Sequence, residues 1–184
     1  MFLARHGQTI FNVVFGQTRK DPGIEDPPLT EEGFRQACSL AEKLEALEIE
    51  RLISSPYTRA LQTAWAVGSR LNLGVTVEAN VRERTAYICD IGASASTLAD
   101  AWPGLDLSNL DEIWWTPEGE SIPAFHERCA AFRRSMAHSV DWPHTAVITH
   151  WGVIRSMTGS LAKNAELLQC NPEEPHPDIG RAWP

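Results

Sequence analysis

The sequence predicts an α/β domain with a largely parallel sheet. Two observations lead there. Short apolar runs at residues 2–4, 52–53, 75–77 and 146–148 alternate with longer segments whose apolar residues recur at helical spacing. Each run is also followed by residues suited to binding an anion or moving a proton: Arg5-His6, Ser54-Ser55 with Arg59 beyond, Arg82-Glu83-Arg84 after Val81, and Thr149-His150. In open α/β sheets ligands sit beyond the carboxyl ends of the strands, so these residues are expected on one rim.

Taken in order, Phe2-Leu3-Ala4 is a short strand, followed by a polar Gly/Pro-rich stretch from Gly16 to Pro28. Thr30 is a good N-cap, and Glu31 and Glu32 suit the positive end of a helix. Ala37, Leu40, Ala41, Leu44 and Leu47 then mark one apolar face, predicting a helix over 31–47. Leu52-Ile53 forms a second strand, and Tyr57, Ala60, Leu61, Ala64 and Leu71 define a second helix. Val75 to Val77 is a third strand. Residues 84–124 mix Gly, Ser, Pro and Trp with no sustained period except around Leu105 to Trp115 and are expected to be a lid-like insertion. Phe125, Cys129, Phe132, Met136 and Val140 predict another helix, Ala146-Val147-Ile148 a strand, and Val153, Ile154, Met157 and Leu161 a short helix. Ala165 to Leu168 is a candidate last strand. The domain is expected to span 1–170, with 171–184 a flexible tail.

Composition narrows the function classes. At 184 residues, 43% hydrophobic and 22% charged, the chain suits one globular domain. It has neither a membrane-length apolar run nor a basic n-region followed by an apolar h-region, so a cytoplasmic location is expected. Four scattered cysteines are expected to be reduced and mostly buried. The net charge of −8 argues against nucleic acid as a partner, and no membrane partner is expected. A phosphorylated ligand would need a compact cluster of arginines to reverse that field locally.

The rim residues supply such chemistry. Arginine forks match phosphate oxygens, a neutral imidazole can attack phosphorus, and a carboxylic acid can protonate a leaving oxygen. Arginines beside a histidine hold it neutral and therefore nucleophilic. Signatures of rival chemistries are missing: Cys129 and Arg134 fall one residue short of C-x5-R, and D-x-D, P-loop and dinucleotide patterns do not occur. No histidine spacing resembles a zinc site, so neither metal nor cofactor is expected.

"RHGQT", "PLTEEGFRQA", "SSPYTRALQTA", "VRER" and "VITHWGVIR", in this order, resemble the histidine phosphatase superfamily, also called the phosphoglycerate mutase-like fold. The resemblance covers roughly residues 1–160 and implies a three-layer α/β/α fold and metal-free catalysis through a phosphohistidine. It makes His6 the nucleophile, Arg5 and Arg59 phosphate clamps, Asn12 a polar phosphate contact, and His150 the second histidine. Glu83 becomes the proton donor, with Asp90 and Glu120 as substitutes. Thr9 and Gln8 are weaker candidates for the same pocket, and Ser121 is a helix cap first and a ligand group second. The first strand starts two or three residues later than in most members, so a short or frayed N-terminal end is expected. Trp114, Trp115 and Trp151 could reach the pocket, although packing is the expected role, and Cys89 is expected to be an inert buried thiol. The implied activity is hydrolysis of a small phosphomonoester. The alternatives are a phosphoglycerate-type mutase, disfavoured by the acidic 84–124 segment, and a phospholigand-binding pseudoenzyme. A possible homodimer is compatible with the sequence.

Overall fold

A computed structural model of the chain describes residues 1–177. The strands are β1 (Phe2–Arg5), β2 (Arg51–Ser54), β3 (Val75–Val77), β4 (Thr145–Thr149) and β5 (Leu167–Gln169). The helices are α1 (Ile10–Thr18), α2 (Glu31–Glu45), α3 (Thr58–Leu71), α4 (Ala95–Ala101), α5 (Ile122–Ala137) and α6 (Trp151–Thr158). The strands form one sheet in the order β3-β2-β4-β1-β5, parallel except for β5, which runs antiparallel to β1.

Strand side chains alternate between two faces, and both faces here are apolar. Leu3, Ile53 and Val147 pack with Phe125, Cys129 and Phe132 of α5 and with Val153, Ile154 and Met157 of α6. Their neighbours Ala4, Leu52, Ala146 and Ile148 pack with Leu40, Ala41 and Leu44 of α2 and with Ala60, Ala64 and Val67 of α3. Helices therefore cover both sides of the sheet, giving the three-layer α/β/α arrangement. Among the described residues no helix is long and apolar enough to cross a membrane.

Several details depart from the expectations. The polar stretch beginning at Gly16 starts inside α1. That helix is opened by a capping box in which Thr9 Oγ1 accepts from Asn12 N while Asn12 Oδ1 accepts from Thr9 N. The N-terminal end of β1 is not frayed: Met1 and Cys170 exchange backbone hydrogen bonds of 2.9 Å in both directions. α5 ends at Ala137, and Val140 lies beyond it, almost fully exposed. Residues 84–124 carry α4 and bury Leu98 and Trp114 against Tyr57 and Leu61, a small core of their own. In the segment expected to be a flexible tail, the Asn171 carbonyl accepts from Arg133 and Pro172 is buried; residues 178–184 lie outside the described residues.

The turn after β1 is held against the start of α2 by direct backbone contact. Thr30 N donates to the Gln8 carbonyl at 2.9 Å, and Gln8 N donates to Gln36 Oε1 at 2.9 Å. A Cβ on Gly7 would overlap the Gly33 carbonyl oxygen, and one on Gly33 would overlap the Gln8 carbonyl oxygen. Both atoms are backbone, so neither can swing aside. Gly33→Ala should accordingly lower unfolding stability by about 1–3 kcal/mol, the scale of overpacking a tight contact. Urea unfolding measures this, and wild-type stability in Gly33→Ala would show that the two backbones tolerate separation.

Candidate active site

Parallel pairing brings β2, β4 and β1 side by side, and backbone hydrogen bonds extend the ladder one step past each strand. His6 N donates to the Thr149 carbonyl at 2.9 Å, and Ser55 N donates to the Ile148 carbonyl at 3.0 Å. His6, His150 and Ser55 thus reach one edge in fixed register. The rings of His6 and His150 lie 5.2 Å apart.

Each histidine is oriented by a neighbour. His6 Nδ1 lies 2.7 Å from the Gly7 carbonyl oxygen, which can only accept, so Nδ1 carries the proton and Nε2 keeps the lone pair. Gly7 is itself held by Thr63, whose hydroxyl accepts from Gly7 N at 3.1 Å and donates to the Arg59 carbonyl at 2.8 Å. His150 Nε2 meets Ser55 Oγ at 2.7 Å, and the edge of the Tyr57 ring closes over it. Burial pushes both imidazoles well below the usual histidine pKa, and Arg59 and Arg5 push them further. They are therefore neutral at physiological pH.

A cavity of about 550 Å³ opens over this edge. Arg5, His6, Asn12, Arg59 and Glu83 line it; His150, fully buried beside His6, is not among the lining residues. Arg5 donates to the Ala162 carbonyl at 2.9 Å. Burial lowers its pKa to about 10, opposed by Glu83 and reinforced by Arg59, so it stays charged at neutral pH. Asn12 Oδ1 accepts from Thr9 and Asn164, which turns the carboxamide nitrogen to other partners. Thr9 also lines the cavity, whereas Gln8 is occupied with Gln36 and Thr30 outside it.

Glu83 follows a 3-10 turn over Ala79–Val81 that Thr149 Oγ1 anchors by donating to the Val81 carbonyl at 2.6 Å. One carboxylate oxygen accepts from Gly152 N at 3.0 Å, at the start of α6, and the other from Arg84 N at 2.9 Å. Burial raises the Glu83 pKa, and nearby Asp90 adds to the shift. Both raise the fraction of acid available for proton donation.

The other two carboxylates have structural partners. Glu120 forms a two-pronged ion pair with Arg128, at 2.8 and 2.6 Å, away from the cavity. Asp90 does line the cavity, but one oxygen takes Arg59 at 3.1 Å and the other takes the amides of Ala86 and Tyr87. Burial works against the Arg59 charge, but Asp90, Cys89, Tyr57 and Asp26 together more than restore it, with Asp26 4.0 Å away on the same guanidinium. The sequence pointed to Arg59 but not to this pairing, and it gave Thr63 and Asn164 no part. The spacing S-S-x-x-x-R-A-x-x-T-A did place Thr63 one helical turn from Arg59.

Of the tryptophans, Trp151 lines the cavity, while Trp114 and Trp115 pack against Tyr57 and each other. Ser121 caps α5 by accepting from Ala124 N and takes no part in the cavity wall. Burial pushes the Cys89 thiol up, so it stays protonated. Cys89, Cys129 and Cys170 are buried and unpaired; Cys38 is exposed.

Known proteins agree with this architecture. The profile of the histidine phosphatase superfamily (branch 1) matches residues 1–171. The chain is 29% identical over 171 residues to a glucosyl-3-phosphoglycerate phosphatase of Mycolicibacterium vanbaalenii, spanning 88% of this chain and 73% of that protein. It is 35% identical over 133 residues to a probable phosphoglycerate mutase GpmB of Yersinia pestis, spanning 71% of this chain and 60% of that one. Among solved structures, a mycobacterial hydrolase aligns at a TM-score of 0.62 with 25% identity, covering 91% of this chain and 86% of its own. A mycobacterial glucosyl-3-phosphoglycerate phosphatase in complex with VO3 shares the fold at a TM-score of 0.61 and 24% identity, covering 91% and 88%. The chain belongs to the histidine phosphatase superfamily, and with it to the phosphatases.

The pairing of Arg59 has a measurable consequence. Arg59→Met strands two buried carboxylates, Asp90 and Asp26, and should cost about 3–5 kcal/mol of stability near neutral pH. The cost should shrink as pH falls and those carboxylates take up protons. Arg5→Met strands no ion-paired carboxylate and should cost less. Urea unfolding of both variants at two pH values checks this, and equal costs would contradict the pairing.

Proposed function

We propose that the protein hydrolyses phosphomonoesters of small metabolites without a metal, through a phosphohistidine on His6. One contact carries the reading: the Gly7 carbonyl accepts a hydrogen bond from Nδ1–H, which keeps the proton there and leaves the Nε2 lone pair as the nucleophile. Arg5 and Arg59 bind the phosphoryl oxygens and neutralise the charge that builds up in the transition state, with Asn12 as a further donor. Nε2 attacks phosphorus while the bond to the alcohol oxygen breaks, and protonated Glu83 gives that oxygen its proton. Glu83, now a carboxylate, then takes a proton from the water that attacks phosphohistidine, releasing phosphate and restoring His6. His150, held by Ser55 with its ring 5.2 Å from that of His6, takes the part of the second histidine, which steadies the phosphoryl group in transit once substrate is bound. The two arginines occupy the place where other phosphatases use a metal ion. Among the described residues, no three His, Cys, Asp or Glu side chains gather into a metal-binding group.

A phosphoglycerate mutase would need cations to hold the sugar-acid carboxylate. Residues 84–124 contain Arg84 and seven Asp or Glu residues, which disfavours that role. The likeness to named phosphatases supports the hydrolytic reading.

His6→Ala should abolish turnover and acid-labile, base-stable phosphate labelling, and activity should persist in EDTA. Phosphate binding without turnover in the wild type would indicate a phospholigand-binding protein instead. Glu83→Gln should slow hydrolysis of an alkyl phosphate by about 10²–10⁴-fold and that of p-nitrophenyl phosphate far less, since nitrophenolate leaves without a proton. The raised Glu83 pKa keeps the acid present to higher pH, so wild-type kcat/KM on the alkyl ester should decline as pH rises through it. That decline should vanish in Glu83→Gln. Equal losses on both esters would move the acid to another residue.

A further inference from the structure

Above the cationic floor, the cavity wall is aromatic. Helix α1 reads Ile-Phe-Asn-Val-Val-Phe over its first six residues, yet none of its residues is buried. An apolar helix face left half-open at a site's mouth needs an explanation that packing does not give. Phe11 and Phe15, one turn apart, stack with ring centroids 5.2 Å apart and 13° between planes. Tyr87, from the segment after Glu83, joins them in one cluster, tilted against Phe11 at 5.4 Å and edge-on to Phe15 at 5.3 Å, and is 42% exposed. All three line the cavity that holds His6 and Arg5.

We propose that the substrate's alcohol is a flat, apolar group that lies against Phe11, Phe15 and Tyr87 while its phosphate meets the arginines. This inference rests on the phosphatase reading and specifies its substrate class. The division of the cavity supports it: phosphate-binding groups lie at the floor, and the wall nearest α1 offers ring faces. Arg19, at the end of α1, places its guanidinium 5.8 Å from the Phe15 ring and so extends that surface with a planar group that also stacks. A polyhydroxylated alcohol would leave these rings wet and find few hydrogen-bond partners among them. The aromatic function thus falls to Phe11, Phe15 and Tyr87, and Trp114 and Trp115 have none.

The test compares ethyl phosphate with 2-(2-naphthyl)ethyl phosphate, two alkyl esters whose leaving alcohols need a proton equally. Wild-type kcat/KM should favour the naphthyl ester by at least about tenfold, the scale of one well-packed apolar group. Tyr87→Ser and Phe15→Ser should each reduce that ratio by about two- to tenfold, the scale of a lost aromatic contact. Tyr87→Phe should retain it. The ratio is internal to each variant, so general damage to the fold cancels. A ratio near one, a ratio insensitive to both serine variants, or a preference for 3-phosphoglycerate that depends on Arg19 would overturn the proposal and leave the phosphatase reading intact. Hydrolysis of none of these esters would overturn both.

Discussion

The backbone around Gly7 governs the site. Its carbonyl accepts the hydrogen bond from His6 Nδ1, its amide is held by Thr63, and a Cβ on it would overlap the Gly33 carbonyl as one on Gly33 would overlap that of Gln8. A hydrogen bond to a neutral carbonyl is modest in energy, but inside a protein it decides which nitrogen of an imidazole is free. Because α2 and α3 both contact this turn, the packing of one sheet face sets the tautomer of His6. The catalytic geometry and the fold are therefore one structure at this point.

Electrostatics supply a second layer. An acidic chain binds an anion only where arginines are concentrated, and burial magnifies their field. The cost of burying Arg59 is offset by Asp90 and Asp26, which fix its position without neutralising the whole site, since Arg5 has no ion-pair partner among the described residues. The same field adds to the burial that depresses the two histidines, whereas burial reinforced by Asp90 leaves Glu83 more easily protonated, against the opposing pull of Arg59 and of the Gly152 and Arg84 amides. Opposite shifts of a base and an acid within one cavity are what general acid and nucleophile each require.

Much of the layout was legible in the sequence because strands buried on both faces read as short apolar runs, and reactive residues follow their ends. α2, α3, β4 and α6 were readable from apolar spacing, Thr30 and Gly152. α1 was not: its apolar residues lie on no buried face, so its only signal was the Thr9–Asn12 capping box. The burial of His150 beside His6 and the engagement of Asp90 with Arg59 depend on contacts between distant segments, which no local pattern encodes. Residues 84–124 lacked a period because they build a small core from single aromatic and aliphatic residues anchored on α3.

The tautomer of His6 tests the account most directly. Long-range 1H–15N NMR of the 15N-labelled protein near pH 7, with His6 identified by the signal that His6→Ala removes, reads both ring nitrogens. The account predicts a neutral ring with a protonated Nδ1 and an unprotonated Nε2, unchanged down to well below pH 6.5. A protonated Nε2, or an imidazolium at neutral pH, would contradict it.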